Sequence, residues 1–133
     1  MRLQIRLLGP LEVAVGGKPV RVTGRPSVVL LVLAMSAGRR VSLDRLVTAT
    51  WGHALPDNPR GSVQTNITRL RRLLGNDLIE TSATGYLLRG GPEEVDALRF
   101  LELLEQAKSA LDTGSEHGRL TEALALWRGT PFE

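Results

Sequence analysis

The sequence holds 133 residues, 42% hydrophobic and 23% charged, with no cysteine. That length suits one compact domain, or a domain with part of a second, and the missing thiols exclude disulfides and thiolate metal sites. The formal charge of +3 conceals an uneven distribution, because residues 1–91 carry 13 Lys/Arg against 5 Asp/Glu while residues 92–133 carry 4 against 9.

The split points to an anionic partner for the first portion only. The plain alternative is two solvated surfaces of different composition. Aromatics make up 4% of the chain, so its core has to come from Leu, Val and Ala. His53 and His117 lie far apart with no ligand spacing around them, and neither a metal nor a cofactor is expected. The opening MRLQIRLLGP alternates charged and apolar residues and lacks the apolar stretch of a signal peptide. The longest apolar run, from Val28 to Met35, is far too short to span a membrane. A soluble, cytoplasmic chain is expected. Arginine outnumbers lysine fifteen to two, a bias that usually reflects a GC-rich genome.

Leu3, Ile5 and Leu7 alternate with polar residues, the period of a half-buried strand. Gly9-Pro10 interrupts the pattern, Leu11, Val13 and Val15 resume it, and a short run over 19–22 follows Gly16-Gly17. An antiparallel meander is expected. The run at 26–37 is apolar on every side, but Pro26 suits a first helical turn and Gly38 a helix stop, which predicts a buried helix. Ser42 is a good N-cap for a second helix over 42–51, with Leu43, Leu46, Val47 and Trp51 on one face. A loop rich in turn residues follows over 53–59.

Residues 60–74 predict a third helix. Val63, Ile67, Leu70 and Leu74 fall within about 60° of one another on the helical wheel, and Gly75-Asn76 supplies the stop. Two short strands over 78–81 and 86–89 flank Ser82-Ala83-Thr84-Gly85. Past the charge switch at Gly90-Gly91-Pro92, Asp96 can cap a helix whose Phe100, Leu104, Ala107 and Leu111 share a face. A short turn at Thr113-Gly114-Ser115 leads to another helix, with Leu120, Ala123, Leu124 and Trp127 together. These two helices should be antiparallel, and they cannot bury both their faces alone.

The polar face of the third helix carries the chemistry. Thr65, Thr68, Arg69 and Arg72 lie opposite the apolar stripe, flanked by Ser62, Gln64 and Arg71, and residues 60–72 hold four arginines and no acid. Exposed helix faces ordinarily mix signs. Arg60, Arg69, Arg71 and Arg72 are expected to neutralise phosphates, Gln64, Thr65 and Thr68 to address base edges, and Ser62 to act near the helix start. With 42–51 as supporting helix and 60–74 as reader, the pattern is helix-turn-helix. The hairpin becomes a wing whose tip offers hydroxyls, Ser82 and Thr84, to the phosphate backbone. Enzyme readings find no footing, since neither a phosphate-binding glycine loop nor a G-x-S-x-G elbow occurs.

N-terminal strands, three helices and a hairpin resemble the winged helix of OmpR-like response-regulator effector domains. LGPLEV, SLDRLVTATWG, VQTNITRLRRLLG and TSATGYLL look like the Streptomyces antibiotic regulatory protein family, and VDALRF and ALALWRGTPFE resemble the opening of its bacterial transcriptional activation domain. The resemblance implies an activator of a secondary-metabolite gene cluster in an actinobacterium. It implies binding to direct repeats of double-stranded DNA near promoter −35 elements and recruitment of RNA polymerase holoenzyme through its sigma factor. The loop at 53–58, with His53, Asp57 and Asn58, matches the segment that such winged helices turn toward polymerase.

The expected fold is therefore α+β: an OmpR-like winged helix over 1–91, then an α-helical hairpin over 92–133, the first helix pair of a truncated activation domain. No apolar heptad offers a dimerisation coil, and the opposed charges of the two portions favour head-to-tail contact. A monomer in solution and a tandem pair on DNA are expected. A protein-interaction module, in which the helical segment works and the winged helix docks protein, is the competing reading. Steep salt dependence of binding distinguishes DNA recognition from it.

Overall fold

The computed structural model describes residues 2–131. Met1, Phe132 and Glu133, the last two ending the ALALWRGTPFE motif, lie outside the described residues. Six strands and five helices follow one another as β1 (Leu3–Arg6), β2 (Glu12–Val15), β3 (Lys18–Val20), α1 (Arg25–Met35), β4 (Val41–Ser42), α2 (Leu43–Trp51), α3 (Pro59–Leu74), β5 (Ile79–Thr81), β6 (Gly85–Leu88), α4 (Asp96–Lys108) and α5 (Thr113–Ala125). The fold is α+β, with the expected strands, three helices, hairpin and helical pair in the expected order. No helix among the described residues is long and apolar enough to cross a membrane.

Contacts divide the chain into two compact units: Val20–Arg89, and a discontinuous one made of Met1–Pro19 with Gly90–Glu133. The seam at 89–90 coincides with the charge switch. The division expected from the sequence, 1–91 and 92–133, groups the first strands with the three helices, whereas their contacts group them with the helical pair.

The reason lies in backbone groups that β1 leaves open. β1 and β2 pair antiparallel with Leu3 opposite Val15 and Ile5 opposite Val13. Beyond that ladder, the Ile5 N–H donates to the Glu94 carbonyl at 2.7 Å. The Asp96 carboxylate accepts from the N–H groups of Leu7 and Leu8 at 2.7 and 3.2 Å. Asp96 therefore does not cap its own helix; Val95 holds that position without a side-chain cap. At the other end, the Arg128 N–H donates to the Leu8 carbonyl at 2.8 Å, its Nη2 donates to the Pro10 carbonyl at 2.9 Å, and its Nη1 lies 3.2 Å from Glu12. Gly9, at φ 142°, passes so near that an added Cβ would meet Arg128 Cβ at 3.0 Å.

The helical pair departs from expectation in its apolar face. Ala97, Leu103 and Ala107 are the buried positions of α4, and Ala123 that of α5. Leu111 lies past the end of α4 and is fully exposed, and Leu124 is 68% exposed. The residues read as a turn, Thr113-Gly114-Ser115, form the first turn of α5, because the Asp112 carboxylate accepts from the Ser115 N–H at 2.7 Å and starts the helix earlier. That bond, with help from the Ser115 hydroxyl, holds the Asp112 carboxyl below its ordinary range. Arg99 joins the pair by donating to Glu122 at 2.8 Å, and it also meets Glu102.

In the Val20–Arg89 unit, α1, α2 and α3 pack on one another around Leu30, Leu33, Leu46, Ile67 and Leu70, each at most 1% exposed. A two-residue strand, β4, joins the hairpin into a sheet ordered β4-β6-β5. Gly85 is obligatory there, since a Cβ would sit 1.9 Å from the Val41 carbonyl oxygen. Leu70→Ala is expected to destabilise this unit by about 2–5 kcal/mol in chemical denaturation; a loss below about 0.5 kcal/mol would mean the α3 face is not the core face. Asp96→Ala, which strips two backbone donors of a charged acceptor, is expected to cost about 2 kcal/mol. That loss should appear as faster amide exchange at Leu7 and Leu8, and unchanged exchange there would refute the tie.

Candidate nucleic-acid interface

The interface is built on α3. Asn58 caps it, with its Oδ1 accepting from the Gly61 N–H at 3.1 Å, and Pro59 occupies the first turn, where its missing N–H costs nothing. The stripe of Val63, Ile67, Leu70 and Leu74 is buried to within 1%. On the opposite side Thr65, Thr68, Arg69 and Arg72 are all exposed, as are Arg60 and Gln64, with Ser62 half-buried. Among the described residues Arg60, Arg69 and Arg72 make no ion pair. The whole of α3 carries no carboxylate.

Both threonines are committed in one respect. The Thr65 hydroxyl donates to the Gly61 carbonyl at 3.0 Å and the Thr68 hydroxyl to the Gln64 carbonyl at 2.9 Å. Their protons are turned back onto the helix. What each offers a partner is an oxygen that accepts and a methyl group, which fits an exocyclic amine or a thymine methyl better than a carbonyl.

Arg71 differs from its neighbours. Its half-buried guanidinium donates through Nη2 to the Ile79 carbonyl at 2.8 Å and to the Thr81 hydroxyl at 2.7 Å. Both acceptors are neutral, so Arg71 keeps its charge and its other N–H groups, but Nη2 and the reach of the side chain are committed to β5. The wheel carries the signal, because residue 71 lies about 70° from the centre of the apolar stripe, on its shoulder, whereas 65, 68, 69 and 72 surround the opposite pole.

The hairpin tip is likewise committed. Ser82 Oγ accepts from the Gly85 N–H at 3.1 Å and donates to the Gly85 carbonyl at 3.0 Å, so its hydroxyl closes the turn. Thr84 is exposed, and its carbonyl accepts from the Leu43 N–H at 3.0 Å. Arg89 pairs with Glu80 across the hairpin at 2.6 Å. In the loop before α3, His53 and Asp57 are exposed, while Asn58 serves as the cap. Leu55, in the same loop, is 57% exposed, and the sequence reading passed over it. Asn66 also went unread: it is 5% exposed, and its Nδ2 donates to the Ser62 carbonyl at 3.1 Å. Its signal was a polar residue beside the stripe. Trp51, expected in the core, is half-buried with the Arg25 guanidinium 5.7 Å from its ring centroid.

Ten arginines and four carboxylates fall within Val20–Arg89. The exposed arc of α3 thus sits on a strongly basic unit and presents cations, acceptors and methyl groups on a face one helix wide. That is the equipment for reading a DNA major groove.

Comparison with known proteins agrees with this geometry. Residues 17–88 match the family described as "Transcriptional regulatory protein, C terminal", a segment that nearly coincides with the Val20–Arg89 unit. The transcriptional regulator RedD of Streptomyces coelicolor is 32% identical over 96% of this chain, which spans 39% of RedD. Mycobacterium tuberculosis EmbR, solved in complex with a low-affinity phosphopeptide, matches with TM-score 0.83 and 30% identity over 98% of this chain and 37% of that one. The DNA-binding domain of Klebsiella pneumoniae RstA, solved in complex with the RstA box, matches with TM-score 0.51 and 30% identity over 59% of this chain and 82% of that one. With the family segment covering more than half of the sequence and including α3 and its hairpin, the chain belongs to the family of transcriptional regulatory protein C-terminal domains.

Proposed function

We propose that this chain binds double-stranded DNA through α3 and activates a secondary-metabolite gene cluster, as two copies on direct repeats near a promoter −35 element that recruit RNA polymerase through its sigma factor. The observation that carries the reading is the acid-free exposed arc of α3 with Arg69 and Arg72 on it and Arg60 in the first turn, none of them in an ion pair among the described residues. Arg60, Arg69 and Arg72 neutralise phosphates, Thr65, Thr68 and Gln64 meet base edges, and Thr84 touches the backbone beside the groove. The exposed loop with His53, Leu55 and Asp57 faces polymerase. This assignment places DNA contact in the basic first portion and leaves the helical pair for protein contact, in keeping with the exposed Leu111 and Leu124. The chain carries no catalytic role in this scheme. A footprint on promoters neighbouring its own gene tests it directly: protected direct repeats support it, and binding unaffected by salt would favour protein docking by the winged helix instead.

Two outcomes separate the roles on α3. Arg72→Ala is expected to weaken binding to specific and scrambled duplexes alike and to lower the salt slope by about one ion. Thr68→Ala is expected to relax preference at one base pair by about 1–3 kcal/mol with the slope unchanged. Losses that are equal and sequence-independent for both variants would remove Thr68 from the reading set.

The assembly is tested by inverting one half-site at constant spacing and titrating by gel shift. Two-copy occupancy should fall sharply on inversion, and light scattering without DNA should report a monomer. Undiminished occupancy, or a tight dimer in free solution, would overturn the tandem arrangement.

A further inference from the structure

The hairpin hangs unequally from its unit. β6 is the central strand, paired with β4 on one side and β5 on the other. Its Tyr86 and Leu88 are buried, and the Leu88 carbonyl accepts from the Gly38 N–H at 2.8 Å. β5 is an edge strand with only β6 beside it, and its Glu80 and Thr81 are exposed. A three-residue edge strand held by one ladder is prone to open.

Arg71 is the side chain that reaches across to it. From the last turn of α3, one nitrogen places both its hydrogens on β5, at 2.8 Å from the Ile79 carbonyl and 2.7 Å from the Thr81 hydroxyl. Ile79 is buried and Thr81 lies at the end of the strand, next to the tip. The two acceptors are two residues apart on one edge, so the bonds define a line along β5 rather than a point. Both bonds leave a single guanidinium nitrogen held at the far end of a rigid planar group, and a lysine ammonium on a flexible stem one bond shorter does not reproduce that position.

From this we infer that Arg71 is a positioning residue: it clips the edge strand of the hairpin to the reader helix and so sets where residues 82–84 meet DNA when α3 lies in the groove. This rests on the DNA reading given above. Arg71 contributes to binding through the hairpin's placement and adds no phosphate contact of its own. The stiffness of the tip makes the clip effective, because Ser82 closes the turn on Gly85 with its hydroxyl, and displacement at Thr81 carries the tip with it.

The test compares Arg71→Ala, Arg71→Lys and Thr81→Val by salt titration, hydroxyl-radical footprinting and amide hydrogen exchange. Arg71→Ala should weaken specific binding by about three- to tenfold with a salt slope within about half an ion of the parent, and should erase protection on the hairpin side of the groove while keeping the central protection. Arg71→Lys, which keeps the charge, should behave like Arg71→Ala. Thr81→Val, which keeps the shape and removes one acceptor, should show the same pattern more weakly, and carries the test should Arg71→Ala fold poorly. Hydrogen exchange at β5 and β6 amides should quicken in all three without DNA present. The clip is overturned by unchanged exchange in Arg71→Ala, or by a slope that drops about one ion with full rescue by lysine, the signature of a phosphate contact. A parent chain whose hairpin responds to the variants but which leaves no footprint on any duplex would overturn the DNA reading and leave the clip as a structural tie only.

Discussion

Val63, Ile67, Leu70 and Leu74 fix the rotation of α3 about its axis, and every statement about its outer face depends on that rotation. Each is buried to within 1%, and full burial of such a side chain stabilises by about 1.5–3 kcal/mol. Turning the helix to hide its arginines would expose all four, at roughly 6–12 kcal/mol. Whole domains are stable by only about 5–15 kcal/mol. The helix therefore has one orientation, and its polar pole must face solvent or a partner. Asn58 and Pro59 set where that helix begins, so register as well as rotation is determined locally. The arc of Thr65, Thr68, Arg69 and Arg72 is a consequence of apolar burial on the other side.

The discontinuous unit depends on a different kind of constraint, polar ties between residues far apart in sequence. Asp96 takes two backbone donors 88 and 89 residues away, and Arg128 reaches the Pro10 carbonyl 118 residues away. These ties involve the motifs on which the family resemblance drew. LGPLEV supplies Leu8, Gly9, Pro10 and Glu12, and ALALWRGTPFE supplies the arginine that meets all four. Neither segment explains itself alone. Position 9 favours glycine because its φ of 142° strains other residues and a Cβ there would crowd Arg128 at 3.0 Å, so the LGPLEV segment and the segment after α5 are fitted to each other inside one unit.

What could be read from the sequence was what has a period or a cap. The α3 stripe repeats at helical spacing and emerged with its boundaries right to one residue, and Ser42 was legible as a cap because its side chain acts three residues away, on the Arg45 N–H. β4 was missed because two residues have no period; only the Val41–Tyr86 and Ser42–Gly85 pairings reveal it. Asp96 was misread because a carboxylate at a helix start usually serves that helix, and nothing local shows two open N–H groups waiting just past β1, at Leu7 and Leu8. Leu111 was assigned to a face by extending a wheel past the true end of its helix. Ser82 looked like a free hydroxyl because a four-residue turn does not show, by composition, whether its own backbone consumes the side chain. For Asp96 and Ser82 the cause is shared: periodicity reports burial, whereas these readings depend on where hydrogen-bonding groups are spent.

The arginines show how much that accounting changes the function. By count, α3 offers four cations, which would release counterions equivalent to a salt slope of about −3.6 on B-DNA. Arg71 keeps its charge against the neutral acceptors of β5, and in the clip proposed for it, which adds no phosphate contact, three remain and the contribution falls to about −2.7. Elsewhere in the unit Arg89 is paired with Glu80 and Arg25 lies against Trp51, so part of the surplus charge organises the unit itself. Arg60, Arg69 and Arg72, which make no ion pair among the described residues, lie on the same helix as two threonines whose hydroxyl protons are already used. In the proposed function, a face of that composition grips phosphates with arginine and leaves short acceptors and methyl groups to meet bases. Discrimination by such a face rests on groups that are close to the helix and stiff. The charge of the unit supplies affinity, and the rigidity of α3 decides what that affinity is aimed at.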